Sequence, residues 1–159
     1  MSVVVSLIIP LYGWIYLRNQ YEFAGYLFYL LMLIWSADVF AYFAGKQFGK
    51  SKLAPNVSPG KTWQGAYGAI AGSIVCAMIG AWAFDFNMNE LILFVILSVA
   101  TVAISIFGDL SESLYKRQGG IKDSGHLLPG HGGILDRIDS LTAATPFYIG
   151  GMYLIGLLS

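Results

Sequence analysis

The sequence predicts an all-α integral membrane protein, and its composition is the first reason. Hydrophobic residues make up 57% of the 159 residues and charged residues only 11%, whereas an ordinary soluble domain has roughly 25% charged residues. The mean hydropathy is +0.66. The apolar residues gather into segments close to the roughly 20 residues that a bilayer-spanning helix needs. We therefore expect one polytopic membrane domain over residues 1–159, without a disulfide framework, because Cys76 is the only cysteine.

Five apolar segments give the predicted helices in chain order: about residues 2–17, 23–44, 65–84, 91–107 and 143–158. The first segment lacks a basic n-region and a small-residue cleavage site, so we expect a retained helix and not a secretory signal. The last segment contains Pro146 and three glycines. Both end segments are short for a full span, which snorkelling side chains or local thinning of the bilayer can accommodate.

The distribution of Lys and Arg predicts the orientation of these helices. The loop between the second and third helices and the loop between the fourth and fifth together hold eight of the nine cations. Basic loops stay on the cytoplasmic side. Both loops are therefore expected to face the cytoplasm of a bacterial-type inner (plasma) membrane, where nucleotides are found, with a polar active-site cavity open to that side. The alternative is that these cations serve topology alone.

Carboxylates at two helix ends border the second basic loop. If the fourth helix continues past residue 107, one face carries four polar side chains: Asp109, Glu112, Ser113 and Lys116. The start of the fifth helix repeats this spacing after a glycine turn, with Asp136, Asp139 and Ser140. Such an arrangement suits a hard divalent cation such as Mg²⁺, which takes one or two carboxylates plus phosphate oxygens. Helix capping and a helical ion pair are the structural alternative.

The first basic loop contains a phosphate-loop look-alike, Gly60-Lys61-Thr62. A true phosphate loop needs a glycine five residues before Gly60, and Pro55 stands there. What remains is Ser58, Lys61 and Thr62 just before a helix N-terminus, where free N–H groups and the helix dipole favour phosphate. The alternative is that Ser58 or Thr62 only caps the helix.

Asp38 lies inside the second apolar segment, where an aspartate costs on the order of 2.5 to 3.5 kcal/mol at the centre of a spanning helix and less near its end. Either its carboxylate bonds to Tyr42 one turn on, or it lines a polar cavity open to the cytoplasm, and intramembrane carboxylates favour the second interpretation. Several glycines at small-residue spacings predict close helix packing: Gly45, Gly49, Gly65, Gly68 and Gly72.

The run from Ser113 to Asp139, SLYKRQGGIKDSGHLLPGHGGILDRID, resembles the signature of the phosphatidate cytidylyltransferases, the CDP-diacylglycerol synthases. The resemblance extends over 27 residues without interruption. Two upstream blocks are similar to further family blocks in the family's order. They are Asp38-x-x-Ala41-Tyr42-x-x-Gly45-x-x-x-Gly49-Lys50 and Ser58-Pro-Gly-Lys-Thr-Trp-Gln-Gly65.

The resemblance implies a reaction of CTP with phosphatidic acid that gives CDP-diacylglycerol and pyrophosphate, by attack of the lipid phosphate on the α-phosphorus of CTP. It implies Mg²⁺ on Asp109 and Asp136, leaves room for a second cation, and makes four residues catalytic: Asp109, Lys122, Asp136 and Arg137. It implies substrate binding by Ser58, Lys61, Thr62, Lys116, Arg117, His131, Gly132 and Gly133. The basic members would clamp the two anionic substrates. No general base is expected, because the lipid phosphate is already a competent nucleophile at neutral pH.

The expected partners are CTP, phosphatidic acid and the lipid bilayer, with no nucleic acid, and the resemblance suggests a homodimer. Members of this family usually carry further transmembrane helices before the part seen here, so we expect either a short form or a fragment that lacks helices of the lipid cleft. Two other functions stay open. One is a related CTP-dependent transferase that acts on a polyprenol or an ether lipid, and the other is a non-catalytic membrane remnant that packs through its glycine faces.

Overall fold

The computed structural model describes residues 24–55, 57–118 and 135–157. These residues form four α-helices and one short β-hairpin. The order is α1 (Ala24–Phe48), β1 (Lys52–Ala54), β2 (Ser58–Thr62), α2 (Trp63–Ala83), α3 (Met88–Gln118) and α4 (Leu135–Leu154). The fold is mostly helical, as predicted, but the hairpin corrects the all-α prediction. The first predicted helix, about residues 2–17, lies outside the described residues.

The hairpin forms where proline interrupts the helical pattern. α1 ends at Phe48, and Pro55 and Pro59, which lack a backbone N–H, disfavour a helix in the segment that follows. The two strands of this segment pair antiparallel, with an irregularity in the register. Lys52 pairs with Thr62 at the base of the hairpin. The Trp63 N–H donates to the Ser51 carbonyl at 3.1 Å, so the hairpin ends directly at the start of α2.

Three of the described helices are long and apolar enough to cross a membrane: α1, α2 and the Met88–Tyr115 part of α3. α4 is not in this group among the helices that the structure describes. It starts at Leu135, carries charged residues in its first turns and contains Pro146. The chain is therefore a multi-pass membrane protein, and three of the five predicted spans have the length and composition of a membrane-spanning helix.

The helices extend beyond the apolar segments from which they were predicted. α1 continues to Phe48 instead of ending near residue 44, α3 continues to Gln118 instead of ending near residue 107, and α4 begins at Leu135 instead of near residue 143. Hydropathy reports the part of a helix that lies in the bilayer, whereas polar turns beyond it remain helical. The extension of α3 places Asp109 inside a helix, which is the condition under which Asp109, Glu112, Ser113 and Lys116 share one helix face.

Side-chain caps fix where α2 and α3 begin. Thr62 is the N-cap of α2, with an extended backbone and a side chain that accepts a hydrogen bond from the Gly65 N–H at 3.1 Å. Before α3, the Asn87 side chain accepts from the N–H groups of Asn89 and Glu90 at 3.0 and 3.1 Å. The Glu90 carboxylate accepts from the Asn87 N–H at 2.9 Å in return, which completes a capping box.

α1 and α2 pack antiparallel through glycine, as the small-residue spacing predicted. A Cβ added at Gly68 would lie 2.5 Å from the Ala44 Cβ and 2.7 Å from the Phe40 carbonyl oxygen. At Gly72 an added Cβ would meet the Phe40 side chain at 2.8 Å. Because any side chain would push the helices apart, glycine here lets the two backbones approach closely.

The hydrophobic core lies at the end of α2 away from the hairpin. Fully buried side chains from all four described helices meet there, among them Leu30 of α1, Ala77 of α2, Phe94 of α3 and Tyr148 of α4. The Tyr29 hydroxyl bonds to the Ser98 hydroxyl at 2.7 Å and joins α1 to α3. The opposite end of the bundle, around the hairpin, is where the polar residues gather.

Candidate active site

A cavity of about 380 Å³ opens between α1, α2, α3 and the hairpin. Its walls carry four charged side chains: Asp38, Lys46, Lys61 and Asp109. Small or apolar residues form most of the remaining lining, including Ala41, Gly65, Ala69, Val102 and Ile106. Charges at the ends of membrane-spanning helices are costly unless they are paired or hydrated, so their collection in one cavity makes this cavity the candidate functional site.

Lys61 and Asp109 form an ion pair across this cavity. Lys61 comes from β2 and Asp109 from α3, so the contact joins the hairpin to the long helix. The two side chains are 26% and 29% exposed, which leaves part of each open to a ligand. The structure thus brings together one predicted metal ligand and one predicted substrate-binding cation.

Asp38 lies on the α1 wall of the same cavity. Its carboxylate is within electrostatic range of both Asp109 and Lys61. Among the described residues it forms no hydrogen bond or ion pair, and the Tyr42 ring instead contacts Phe43 and lies beneath Lys46. Asp38 therefore lines a cavity and does not form the Tyr42 hydrogen bond within the described residues, and the opening of that cavity to the cytoplasm stays a prediction.

Thr62 and Gln64 hold the hairpin against the start of α2. The Thr62 hydroxyl is buried and caps the helix, so the capping interpretation is confirmed, although Thr62 also lines the cavity. The Gln64 side-chain carbonyl accepts from the N–H groups of Lys50 and Ser51 at 3.2 and 3.4 Å, and its amide donates to the Ser51 hydroxyl at 3.2 Å. These bonds fix the strand that presents Lys61. Gln64 was not among the residues predicted for the site.

Two other predicted substrate-binding residues lie near the hairpin but outside the cavity wall. Ser58 begins β2 and pairs with Ala54. The Arg117 Nε donates to the Val57 carbonyl at 3.4 Å, so the end of α3 touches the tip of the hairpin. The structure therefore brings the two basic loops together at one end of the bundle, but it does not place Ser58 or Arg117 on the cavity.

The remaining predicted site residues lie in or beside the segment 119–134, which is outside the described residues: Lys122, His131, Gly132 and Gly133. Asp136 and Arg137 lie in the first turn of α4. Their side chains, and that of Lys116, are outside the described part of the structure. Gly108 of α3 packs against Ala143 of α4, and Asp136 precedes Ala143 by seven residues, or about two helical turns.

The described donor atoms are compatible with a divalent cation. No group of three or more His, Cys, Asp or Glu side chains gathers for a metal within the described residues. Asp38 and Asp109 nonetheless offer carboxylates to one cavity. Mg²⁺ commonly takes one or two carboxylates and completes its shell with water and substrate phosphates, so the chemistry of this donor set fits that ion.

Comparison with known proteins identifies the family. Residues 1–155 match the Cytidylyltransferase family. The chain belongs to the cytidylyltransferase family. The chain is 52% identical over 139 residues to the phosphatidate cytidylyltransferase of Haemophilus influenzae, with 84% of this chain and 47% of the relative covered. The resemblance found in the sequence is confirmed.

Two further relatives agree. The phosphatidate cytidylyltransferase of Pseudomonas aeruginosa is 46% identical over 151 residues, which cover 94% of this chain and 56% of the relative. That of Bacillus subtilis is 45% identical over 135 residues, which cover 82% of this chain and 49% of the relative. The chain spans about half the length of the curated relatives it matches.

A solved structure has the same fold. It is an intramembrane enzyme for archaeal membrane lipid biosynthesis, and it matches with a TM-score of 0.53 over 76% of this chain and 75% of that chain. The sequence identity is 21%. The likeness therefore shows the fold of this chain and no more.

Proposed function

We propose that this chain transfers the cytidylyl group of CTP to phosphatidic acid, giving CDP-diacylglycerol and pyrophosphate. The observation that carries the proposal is the Lys61–Asp109 ion pair in a cavity at the end of three membrane-spanning helices. A cation and a carboxylate in such a cavity suit a substrate that is a lipid at one end and a phosphate at the other. Membership of the cytidylyltransferase family and the names of the relatives support the same reaction.

In this reaction an oxygen of the lipid phosphate attacks the α-phosphorus of CTP. The bond between the α-phosphorus and the oxygen that bridges it to the β-phosphorus breaks, and pyrophosphate leaves. Lys61 would hold negative phosphate oxygens through its ammonium group. The positive end of α2, which reaches the cavity through Gly65 and Ala66, adds a fixed field of the same sign. Positioning and charge stabilisation supply most of what phosphoryl transfer needs.

Asp109 would hold Mg²⁺ together with Asp136, and Asp38 lies on the same cavity as Asp109. The bound ion would neutralise charge on the reacting phosphates. Lys122 and Arg137 would add further contacts to substrate phosphate, with Lys116, Arg117, His131 and the Gly132-Gly133 turn beside them. The contact of α3 with α4 at Gly108 and Ala143 supports this arrangement, because Asp136 precedes Ala143 on α4 by about two turns.

The cavity is proposed to face the cytoplasm of a bacterial-type inner membrane. Lys46, Lys50, Lys52 and Lys61 lie at the hairpin end of the bundle, and Arg117 joins them through its bond to Val57. Acidic residues occupy the opposite end, with Asp85 after α2 and Glu90 in the first turn of α3. This distribution of charge, basic at the hairpin end and acidic at the other, agrees with basic loops on the cytoplasmic side. We further propose a homodimer, on the resemblance alone.

An acceptor panel tests the proposed reaction. Purified protein is given CTP with phosphatidic acid, an archaeal-type ether lipid phosphate or a polyprenyl phosphate, each with Mg²⁺ present or chelated. The proposal predicts CDP-diacylglycerol from phosphatidic acid, dependent on Mg²⁺. Preference for the ether lipid or the polyprenyl phosphate would assign the chain to a related CTP-dependent transferase, and absence of turnover with every acceptor would support a membrane remnant.

A further inference from the structure

Lys46 is a cavity cation to which the sequence patterns assign no binding role. It lies on α1, and its Nζ is 5.6 Å from the centroid of the Tyr42 ring, one turn earlier. This distance is within the range of a cation–π contact. Of the two lysines that line the cavity, Lys61 is paired with Asp109, whereas Lys46 forms no ion pair within the described residues. The charge of Lys46 therefore remains available to an anion.

Within the described residues, the helix face that carries Lys46 is apolar and uncovered. Val39, Tyr42 and Phe43 precede it by seven, four and three residues, so they share one face of α1 with it. Their exposed fractions are 52%, 60% and 57%. On a membrane-spanning helix such a face contacts lipid. Lys46 thus stands where the polar cavity meets the lipid-facing surface, near the helix end, a place where lysine extends its ammonium to the membrane interface.

We propose that Lys46 binds the phosphate head group of the lipid substrate at the membrane edge of the cavity, and that the Tyr42 ring holds its ammonium before the phosphate arrives. The inference rests on the proposed function for the identity of the lipid. CTP offers phosphate of the same chemistry. The apolar face beside Lys46 favours the lipid phosphate, because acyl chains can lie against Val39 and Phe43 while the phosphate reaches into the cavity.

The proposal is tested with two variants at position 46 and a matched control. Lys46→Gln removes the charge, and Lys46→Arg keeps it. Lys50→Gln removes an equal charge from the same basic segment, but Lys50 does not line the cavity, and its backbone bond to Gln64 is retained. The apparent KM values for dihexanoyl phosphatidate and for CTP are measured separately with the whole chain in detergent micelles.

Lys46→Gln is expected to raise the KM for phosphatidate about fivefold, the effect of one lysine on an anionic lipid at the membrane surface. The KM for CTP should not change, and Lys46→Arg and Lys50→Gln should both resemble the native chain. An unchanged KM for phosphatidate in Lys46→Gln, with turnover intact, would overturn the proposal and leave the proposed function standing. A rise confined to the KM for CTP would overturn the lipid assignment.

Ligand-induced thermal stabilisation tests the Lys46 site separately from the proposed cytidylyl transfer. Dihexanoyl phosphatidate should raise the unfolding temperature of the native chain more than dihexanoyl phosphatidylcholine does, and Lys46→Gln should lose this difference. If the native chain has no turnover but shows this Lys46-dependent stabilisation, the proposed reaction fails and the lipid phosphate site stands. If it shows neither turnover nor selective stabilisation by phosphatidate, the Lys46 site is overturned as well.

Discussion

Lys61 of β2 forms an ion pair with Asp109 of α3, 48 positions later in the chain. The pair needs two local structures to be in place at once. The hairpin must end at the N-cap of α2, as Thr62 and Gln64 ensure, and α3 must stay helical beyond its apolar segment. A cation that the sequence places before a helix N-terminus and a carboxylate that it places at a helix end thus reach the same cavity.

Asp109→Asn nearly preserves the shape of the side chain and removes its charge. If Asp109 holds the metal that stabilises the transferring phosphate, loss of roughly 3 to 4 kcal/mol of transition-state stabilisation should slow turnover by about two to three orders of magnitude. Steady-state turnover with saturating CTP and phosphatidate measures the loss. The control is Asp85→Asn at the other end of the bundle, where φ is 56°, a conformation that asparagine tolerates. Near-normal turnover in Asp109→Asn over a range of Mg²⁺ concentrations would contradict the metal assignment.

Asp136→Asn should show a loss of similar size while expression and membrane insertion stay normal. Asp139 is the matched control, because it lies one turn further along α4. Asp139→Asn should therefore lose less activity than Asp136→Asn. The two variants are compared by turnover and by the Mg²⁺ concentration that gives half-maximal rate. Equal losses of activity in both variants, or a larger loss in Asp139→Asn, would show that the proposed assignment of the metal to Asp136 is wrong.

Gly68→Ala should destabilise the bundle by about 1 to 3 kcal/mol, as overpacking does at a close contact. The added methyl group would lie 2.5 Å from the Ala44 Cβ and 2.7 Å from the Phe40 carbonyl oxygen. Gly150→Ala is the control, since a Cβ there meets nothing within 4 Å and alanine has the better helix propensity. Unfolding temperatures of the two variants in detergent are compared, and that of Gly68→Ala should be the lower. A Gly68→Ala chain as stable as the Gly150→Ala chain would contradict the packing of α1 on α2.

Single cysteines test the orientation after Cys76 has been replaced by alanine. Cysteines at Lys50, beside the hairpin, and at Gly119 should react with a membrane-impermeant maleimide from the cytoplasmic side. A cysteine at Asn87, in the turn between α2 and α3, should react from the opposite side. The eight-to-one distribution of cations predicts this pattern. Labelling of all three positions from one face would show that the helix arrangement is wrong.

The helical part of the fold could be predicted because it depends on local composition. Apolar segments of spanning length located α1, α2 and α3, and small-residue spacing located the Gly68 contact. Helix ends were less accurate, because α3 continues to Gln118 through polar turns that hydropathy does not register. The hairpin was missed. It is held by the Gln64 bonds to Lys50 and Ser51, which are tertiary contacts without a local signal.

The sequence predicted individual residues of the candidate site, but it did not predict which of them contact each other. Asp109 and Lys61 were each identified, but their mutual contact joins two distant segments and has no local signal. Asp38 was expected to line a cavity because a carboxylate inside an apolar helix needs a polar environment. Lys46 could have been singled out from its position four residues after Tyr42, on one face of a helix end. That Lys46 lines the cavity could be seen only in the structure.

The transfer of the cytidylyl group itself is tested most directly by following the phosphorus atoms of CTP. The purified chain is incubated with phosphatidic acid, Mg²⁺ and CTP labelled at either the α- or the γ-phosphorus, and the lipid product is separated from pyrophosphate. Cytidylyl transfer to the lipid predicts that α-label enters the lipid and γ-label appears only in pyrophosphate. Entry of γ-label into the lipid, or no labelled lipid from either CTP, would contradict it.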